Sequence, residues 1–281
     1  MIQDYQTNLV YLASGLRHYR PLFSNLVSAL KTEGVAYRFL PGTESYKHVW
    51  ARDFMPIQIH KDKFVRYWYE PDYLWGFESY IPRYRDIDKQ LNLDCKWTDI
   101  ILDGGNVIKC GDKVIMTDKI LRENRGRHKQ KLISKLEDLL EAQIVLIPWD
   151  REEEFGHADG MVRYIEGDRV LMNNYAKFDP LFRDKLLSAL APHFKVQEFF
   201  YYTPRRSQYS WAYINFLHVG NTIFLPGLGI EEDLLAIEKI QSTYPDCKVI
   251  KIDGCQDLVR DGGALNCVSW NIQADLSDKT S

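Results

Sequence analysis

Four short stretches of this 281-residue chain carry residue types that could perform nucleophilic chemistry. They are WARDFMP at 50–56, ILDGGN at 101–106, EFGHADG at 154–160 and GGALNC at 262–267. Cysteine catalysis needs a thiolate, a proton shuttle and a group that orients the shuttle. Cys267, His157 and one of the acids supply those three types. In HAD, His157 and Asp159 stand two apart on an expected strand, which would point both side chains to one face. Adding Asp53 makes a site with surplus negative charge. Such a site suits a cation, and a planar guanidinium, with five donors in a fixed fork, matches two carboxylates. The same cation would favour the thiolate. Taken singly, these residues are unspecific. A free cysteine is most often a small buried hydrophobe, a lone histidine a hydrogen-bonded structural group, and a glycine pair a turn or bulge. The neighbouring Arg52 and Asp53 alone would read as a surface ion pair.

What could bring distant residues together is a repeat. DGGNVIKCGDKVIMT, DGMVRYIEGDRVLMN and AYINFLHVGNTIFLP each read as two β-rich runs joined at a Gly-Asp or Gly-Asn turn, at Gly111, Gly167 and Gly220. An earlier copy, MPIQIHKDKFVRYW, turns near Lys61 and Asp62. Helical stretches follow the three clearest hairpins: HKQKLISKLEDLLEA, with leucines along one face; DPLFRDKLLSAL, with Asp179 as N-cap and Pro180 in first position; and IEEDLLAIEKIQ, with acids in its first turn. Strands QIVLIP, FKVQEFFY and CKVIKID come next. The N-terminal third has the same plan, with NLVYLAS, a helix near 19–31 and VAYRFLP. The last strand, ALNCVSW, is left to pair with the first, NLVYLAS, closing five units into a ring. The expected fold is therefore α/β, a single domain over 1–281, with equivalent strand ends converging on one axis. Residues 69–97 are the least regular part and read as a long aromatic loop insertion, a lid or binding loop. The tail from about 273 is expected to be disordered.

Composition narrows the partners. The chain is 45% hydrophobic, with 36 basic and 39 acidic residues intermixed, so no basic stripe marks a nucleic-acid surface. No apolar run is long enough to span a membrane, and MIQDYQTNLVYLAS does not read as a signal peptide. The five cysteines include no CxxC pair and read as reduced cytoplasmic thiols, not a zinc site or disulfide frame. The aromatic-rich exterior segments are compatible with a homodimer.

The ordered set WxRDxxP, [DE]GGN, GHxDG and GGxxxC resembles the agmatine deiminase and bacterial-type peptidylarginine deiminase family of guanidino-group-modifying enzymes. The resemblance runs over almost the whole chain and includes TDKILRENRGRHKQ, WGFESY and SWAYINFLHVGNTIFLP. It implies a pentein-type, five-bladed, pseudo-fivefold α/β propeller built from ββαβ-like repeats. It also implies Cys267 as nucleophile, His157 as general acid/base and Asp103 as the acid that orients the histidine. Asp53 and Asp159 would grip the guanidinium, with Asn106, Trp75 and Gly76 nearer the substrate tail or pocket wall. No metal or organic cofactor is implied. The chain departs from the family pattern at Asp103, usually Glu; at Asn266, where agmatine deiminases carry His; and at Met55, usually a small residue.

The expected reaction is hydrolysis of a small guanidino compound through a covalent cysteine thiouronium, with agmatine giving N-carbamoylputrescine and ammonia. Free, methylated or peptidyl arginine as substrate, an amidinotransferase, and a non-catalytic ring that binds polyamines are the alternatives. Glu78, Arg83, Arg85, Glu153, Glu154, Arg205 and Arg206 are the charged candidates for contact with the substrate tail.

Overall fold

Fifteen strands, β1–β15 in chain order, form five small sheets of three strands each among the described residues. The structure is a computed structural model, and it describes residues 1–151, 155–199 and 211–276. Each sheet has one plan. An inner strand pairs antiparallel with a middle strand, which pairs parallel with an outer strand after a helical crossover. The sheets are β3 (Ile57–His60), β4 (Lys63–Trp68) and β5 (Cys95–Ile101); β6 (Ile108–Cys110), β7 (Lys113–Thr117) and β8 (Gln143–Ile147); β9 (Val162–Glu166), β10 (Arg169–Met172) and β11 (Lys195–Glu198); and β12 (Leu217–Val219), β13 (Thr222–Gly227) and β14 (Lys248–Asp253). The fifth is assembled from both ends of the chain. The last strand, β15 (Ser269–Ile272), lies antiparallel to β1 (Leu9–Ala13), which pairs parallel with β2 (Ala36–Leu40). The expected closure of the ring is therefore present: four blades are each contiguous in sequence, and the fifth joins the two ends of the chain.

The crossover helices are α1 (Arg20–Thr32), α2 (Tyr84–Gln90), α3 (Lys129–Leu140), α4 (Pro180–Leu190) and α5 (Glu232–Thr243). The buried faces of α1 and α3 follow the leucine spacing: Leu22, Leu26 and Leu30 on one, Leu132, Leu136, Leu139 and Leu140 on the other. Asp179 caps α4 by accepting from the Phe182 amide, with Pro180 in the first position. Burying leucine side chains of this kind stabilises by about 1.5–3 kcal/mol each. Between the helices and the strands run three clusters of buried apolar side chains.

Two sequence expectations change. The segment 69–97 is not one long loop: it contains α2 and the start of β5, which complete the blade begun by β3 and β4. Its helix was hidden because the apolar stripe of YRDIDKQ is only Tyr84 and Ile87, and the flanking aromatics dominate the pattern. Of the tail expected to be disordered, Gln273 and Ala274 are held by Gln58 and Asn8, and 277–281 lie outside the described residues. No helix among the described residues is long and apolar enough to cross a membrane.

Candidate active site

The four motifs meet at one end of the ring because each lies next to an inner strand. Asp53 is in the short helix Ala51–Phe54 before β3, and Asp103 and the turn Gly104–Asn106 precede β6. His157 and the turn Ala158–Gly160 precede β9, and Cys267 precedes β15. Two local readings need correction. Cys267 is in a turn before β15, not on the strand, and Asp159 lies in the 3-10 turn Ala158–Gly160 with His157 just before it, neither on a strand. A 3-10 turn repeats every three residues, so neither it nor strand alternation sets the two side chains on one face; the extended backbone at His157 turns into the 3-10 turn that carries Asp159.

Cys267 Sγ lies 3.7 Å from Asp159 Oδ2 and 3.3 Å from Asn215 Oδ1, which also accepts from the Cys267 amide at 3.3 Å. Asp159 Oδ2 in turn accepts from Asn266 Nδ2 at 2.7 Å. Burial first, then the charges of Asp159 and Asp53, push the Cys267 thiol well above its usual range. Burial and these two carboxylates thus favour the thiol form. The other four cysteines are also pushed up, all mainly by burial. What sets Cys267 apart is its neighbours.

His157 Nε2 is 2.9 Å from Asp103 Oδ2, and its Nδ1 is 3.6 Å from Asp53 Oδ1. The shorter aspartate therefore does reach the ring. Burial acts to lower the histidine, but the charges of Asp53 and Asp103 and the bond to Asp103 outweigh it and raise it to about 9. It is an imidazolium at neutral pH. Asp53 is raised to about 7, by burial first and by Asp103 and Asp159 next, against the pull of His157. The Gly105 amide donates to its Oδ1 at 3.0 Å. A Cβ at Gly105 would lie 2.6 Å from His157 Nδ1 and 2.7 Å from Asp53 Oδ1, so only glycine lets histidine and aspartate come this close. Gly263 has the same role beside the nucleophile turn, where a Cβ would sit 2.0 Å from Trp50 Cζ3.

Behind Asp103 lies a buried ion-pair chain that sequence reasoning missed. Lys119 Nζ is 2.8 Å from Asp103 Oδ2 and 2.9 Å from Glu123 Oε1, and it sits over the Tyr73 ring at 4.6 Å. Burial would raise Asp103, but Lys119 and His157 hold it near 2. Glu123 is pushed up to about 8 by burial and by Asp103. In sequence, Lys119 and Glu123 look like an ordinary i,i+4 surface pair, and nothing local signals that both are buried.

The remaining expected site residues are less central. Asn106 is buried, and its Oδ1 accepts from the Thr117 amide at 2.8 Å, so it fastens the site turn to β7. Its Nδ2 has no partner among the described residues. Trp75 is 74% exposed and, together with Tyr73, Glu70, Asp72, Glu123 and Trp149, lines a cleft of about 560 Å³. Gly76 adopts a positive φ and donates to Glu78. Arg85 lies between Trp68 and Trp97, and Arg83 precedes α2. Glu153, Glu154, Arg205 and Arg206 lie outside the described residues. Tyr73 packs edge-on against His157 and Phe155, so the 69–97 segment does cover the histidine.

Five ββαβ-type blades closed by the two chain ends are a five-bladed α/β propeller of the pentein type. Residues 3–272 match the model of the Porphyromonas-type peptidyl-arginine deiminases, and the chain belongs to that family. The agmatine deiminase of Medicago truncatula is 23% identical over 212 residues, 60% of this chain and 56% of that protein. The chain spans less than two thirds of the length of the curated relatives it matches, 57% and 59% for two others. Among solved structures, the agmatine deiminase of Enterococcus faecalis superposes with a TM-score of 0.74 at 18% identity, covering 98% of this chain and 96% of that one. The DDAH of Pseudomonas aeruginosa gives 0.63 at 14% identity, covering 95% of this chain and all of that one. At these identities the structures show the shared fold.

Proposed function

We propose that this protein hydrolyses the guanidino group of a small cation, agmatine first, releasing ammonia and leaving a ureido product. The observation that carries the reading is the convergence of a cysteine, a histidine held by an acid, and two further carboxylates in one buried site. Asp53 and Asp159 grip N–H edges of the guanidinium fork and leave a face open to Cys267. A bound cation reverses the electrostatics of the empty site, because it offsets the carboxylate charges that hold Cys267 as a thiol. As the cation binds, the thiol gives up its proton to solvent, and the thiolate attacks the guanidinium carbon so that a C–S bond forms. His157, whose Nε2 is engaged by Asp103, gives a proton from Nδ1 to the departing nitrogen. Ammonia leaves as the C–N bond breaks, and an S-alkylthiouronium remains on Cys267. The neutral imidazole then takes a proton from water, whose oxygen attacks the same carbon. Collapse breaks the C–S bond and returns the thiol sulfur, giving N-carbamoylputrescine from agmatine.

Agmatine is favoured by the names of the similar proteins and by the Tyr73 segment, which covers the histidine and suits a small substrate. The test is incubation with agmatine, free arginine, methylated arginine and a blocked arginine peptide, with detection of each ureido product. Agmatine is expected to be turned over fastest. Turnover of the peptide alone would move the substrate to peptidyl arginine, and product only in the presence of an added amine would indicate amidino transfer.

A further inference from the structure

Below the site, the inner strands carry polar residues where the rest of the core is apolar. Gln58 on β3, Lys109 on β6, Arg163 on β9, His218 on β12 and Asn271 on β15 occupy matching places, one per blade. The N-terminal turn Asp4–Gln6 caps this ring. Asp4 Oδ1 is 3.0 Å from Lys109 Nζ and 3.3 Å from Asn271 Nδ2, and its Oδ2 is 3.0 Å from Arg163 Nη2. Arg52 enters from the side of the active site. Its Nη2 donates to Asn271 Oδ1 at 2.6 Å and its Nε to the Asn266 carbonyl at 3.3 Å.

Three cations, Arg52, Lys109 and Arg163, thus surround one axial region. Among the described residues, Asp4 is the single carboxylate paired with any of them. Asp159 acts on Arg52 from the other side but is engaged by Asn266. Buried cations in excess of acids are costly unless something neutralises them. The titrating groups respond accordingly. Burial first, and Arg163 with it, lowers Lys109 and Arg52 and takes His218 down to about 4, while Lys109 and Arg163 hold Asp4 far below the usual carboxylate range against its burial. A cavity of about 20 Å³ is lined by Arg52, Lys109, Gln58 and Asn271, with Val107 and Trp270 beside them. That is room for one water-sized or monatomic species.

We propose that the axial cavity between Arg52 and Lys109 is a binding site for a monatomic anion of the chloride class. The anion supplies the negative charge that Asp4 alone does not. It acts beside the nucleophile turn, since the Arg52 amide donates to the Cys267 carbonyl at 3.0 Å and its guanidinium holds the Asn266 carbonyl. The site does not depend on the identity of the substrate.

The direct test is diffraction from crystals of the full chain, grown without halide and soaked in bromide. An anomalous peak between Arg52 and Lys109 is expected. In solution, the thermal midpoint is expected to rise with chloride beyond any rise given by gluconate at equal ionic strength, because an ion that binds only the folded state stabilises it. Lys109→Gln should weaken the halide effect by about tenfold or more, the loss of one charged partner. Asp4→Asn, which removes the competing carboxylate, should strengthen it. Bromide-soaked crystals that show only water in the cavity, or midpoints that follow ionic strength alone, would overturn the assignment. Neither readout uses catalysis, so failure here leaves the proposed reaction untouched.

Discussion

Replacing Lys119 with methionine keeps the length of the buried stem and deletes one charge. That charge stands 2.8 Å from Asp103 and 2.9 Å from Glu123, with no solvent access on its side chain. At an effective dielectric of about 20, each pair attracts by about 6 kcal/mol before the cost of burying the ions. Desolvation offsets most of this, but the cost has already been met in the parent fold. Removing one partner leaves the others uncompensated, which typically costs about 3–5 kcal/mol. Urea unfolding of Lys119→Met at pH 7 should therefore show a loss of that order. Adding Glu123→Gln removes one stranded acid and should restore about 1–3 kcal/mol, a coupling expected of side chains in direct contact. Activity carries a second, independent sign. The Lys119 cation lowers His157, so its removal should move the basic limb of the pH profile of kcat/KM upward from about 9. A loss below about 1 kcal/mol, no recovery in the double variant, or a basic limb that moves down would refute the reasoning.

Three more outcomes follow from the same geometry. Gly105→Ala places a methyl against His157 Nδ1 and Asp53 Oδ1 and should cut kcat by about 100-fold or more, with a smaller effect on folding measured by circular dichroism. Asp103→Asn removes the charge that helps raise His157 from its ordinary 6.5 to about 9, so NMR titration of the imidazole should give a lower value. The protein should lose stability as pH rises from 3.8 to about 9. His157 favours folding while protonated, and the raised Asp53 (about 7) and Glu123 (about 8) oppose folding once ionised; Glu123→Gln should flatten the part of the loss between 4.5 and 8 in denaturation curves.

The ring was legible because its turns repeat. Gly111, Gly167 and Gly220 all take positive φ at hairpins, and only a few residue types allow that. The closing pair was legible because ALNCVSW and NLVYLAS were the strands left over, and β15 does lie against β1. The gathering of Cys267, His157, Asp53, Asp103 and Asp159 followed from placing each motif next to an inner strand. What was not legible depends on packing. Lys119 and Glu123 look like a solvated helix pair, yet Lys119 lies against Tyr73, more than forty residues away in sequence. Asn215, which meets Cys267 from the neighbouring blade, lies in a stretch read only as the first β-rich run of a hairpin. Arg52 read as the surface partner of Asp53, yet its side chain turns the other way, to Asn266 and Asn271.

The central claim is that Cys267 bonds to the guanidinium carbon. Rapid acid quench of the protein with agmatine during turnover, followed by mass analysis of the peptide bearing residue 267, tests it directly. An amidino adduct on Cys267 that forms and decays in step with ammonia release, and that is missing in Cys267→Ser, is the predicted result. Ureido product formed at a comparable rate by Cys267→Ser, or turnover with no adduct at that residue, would contradict it.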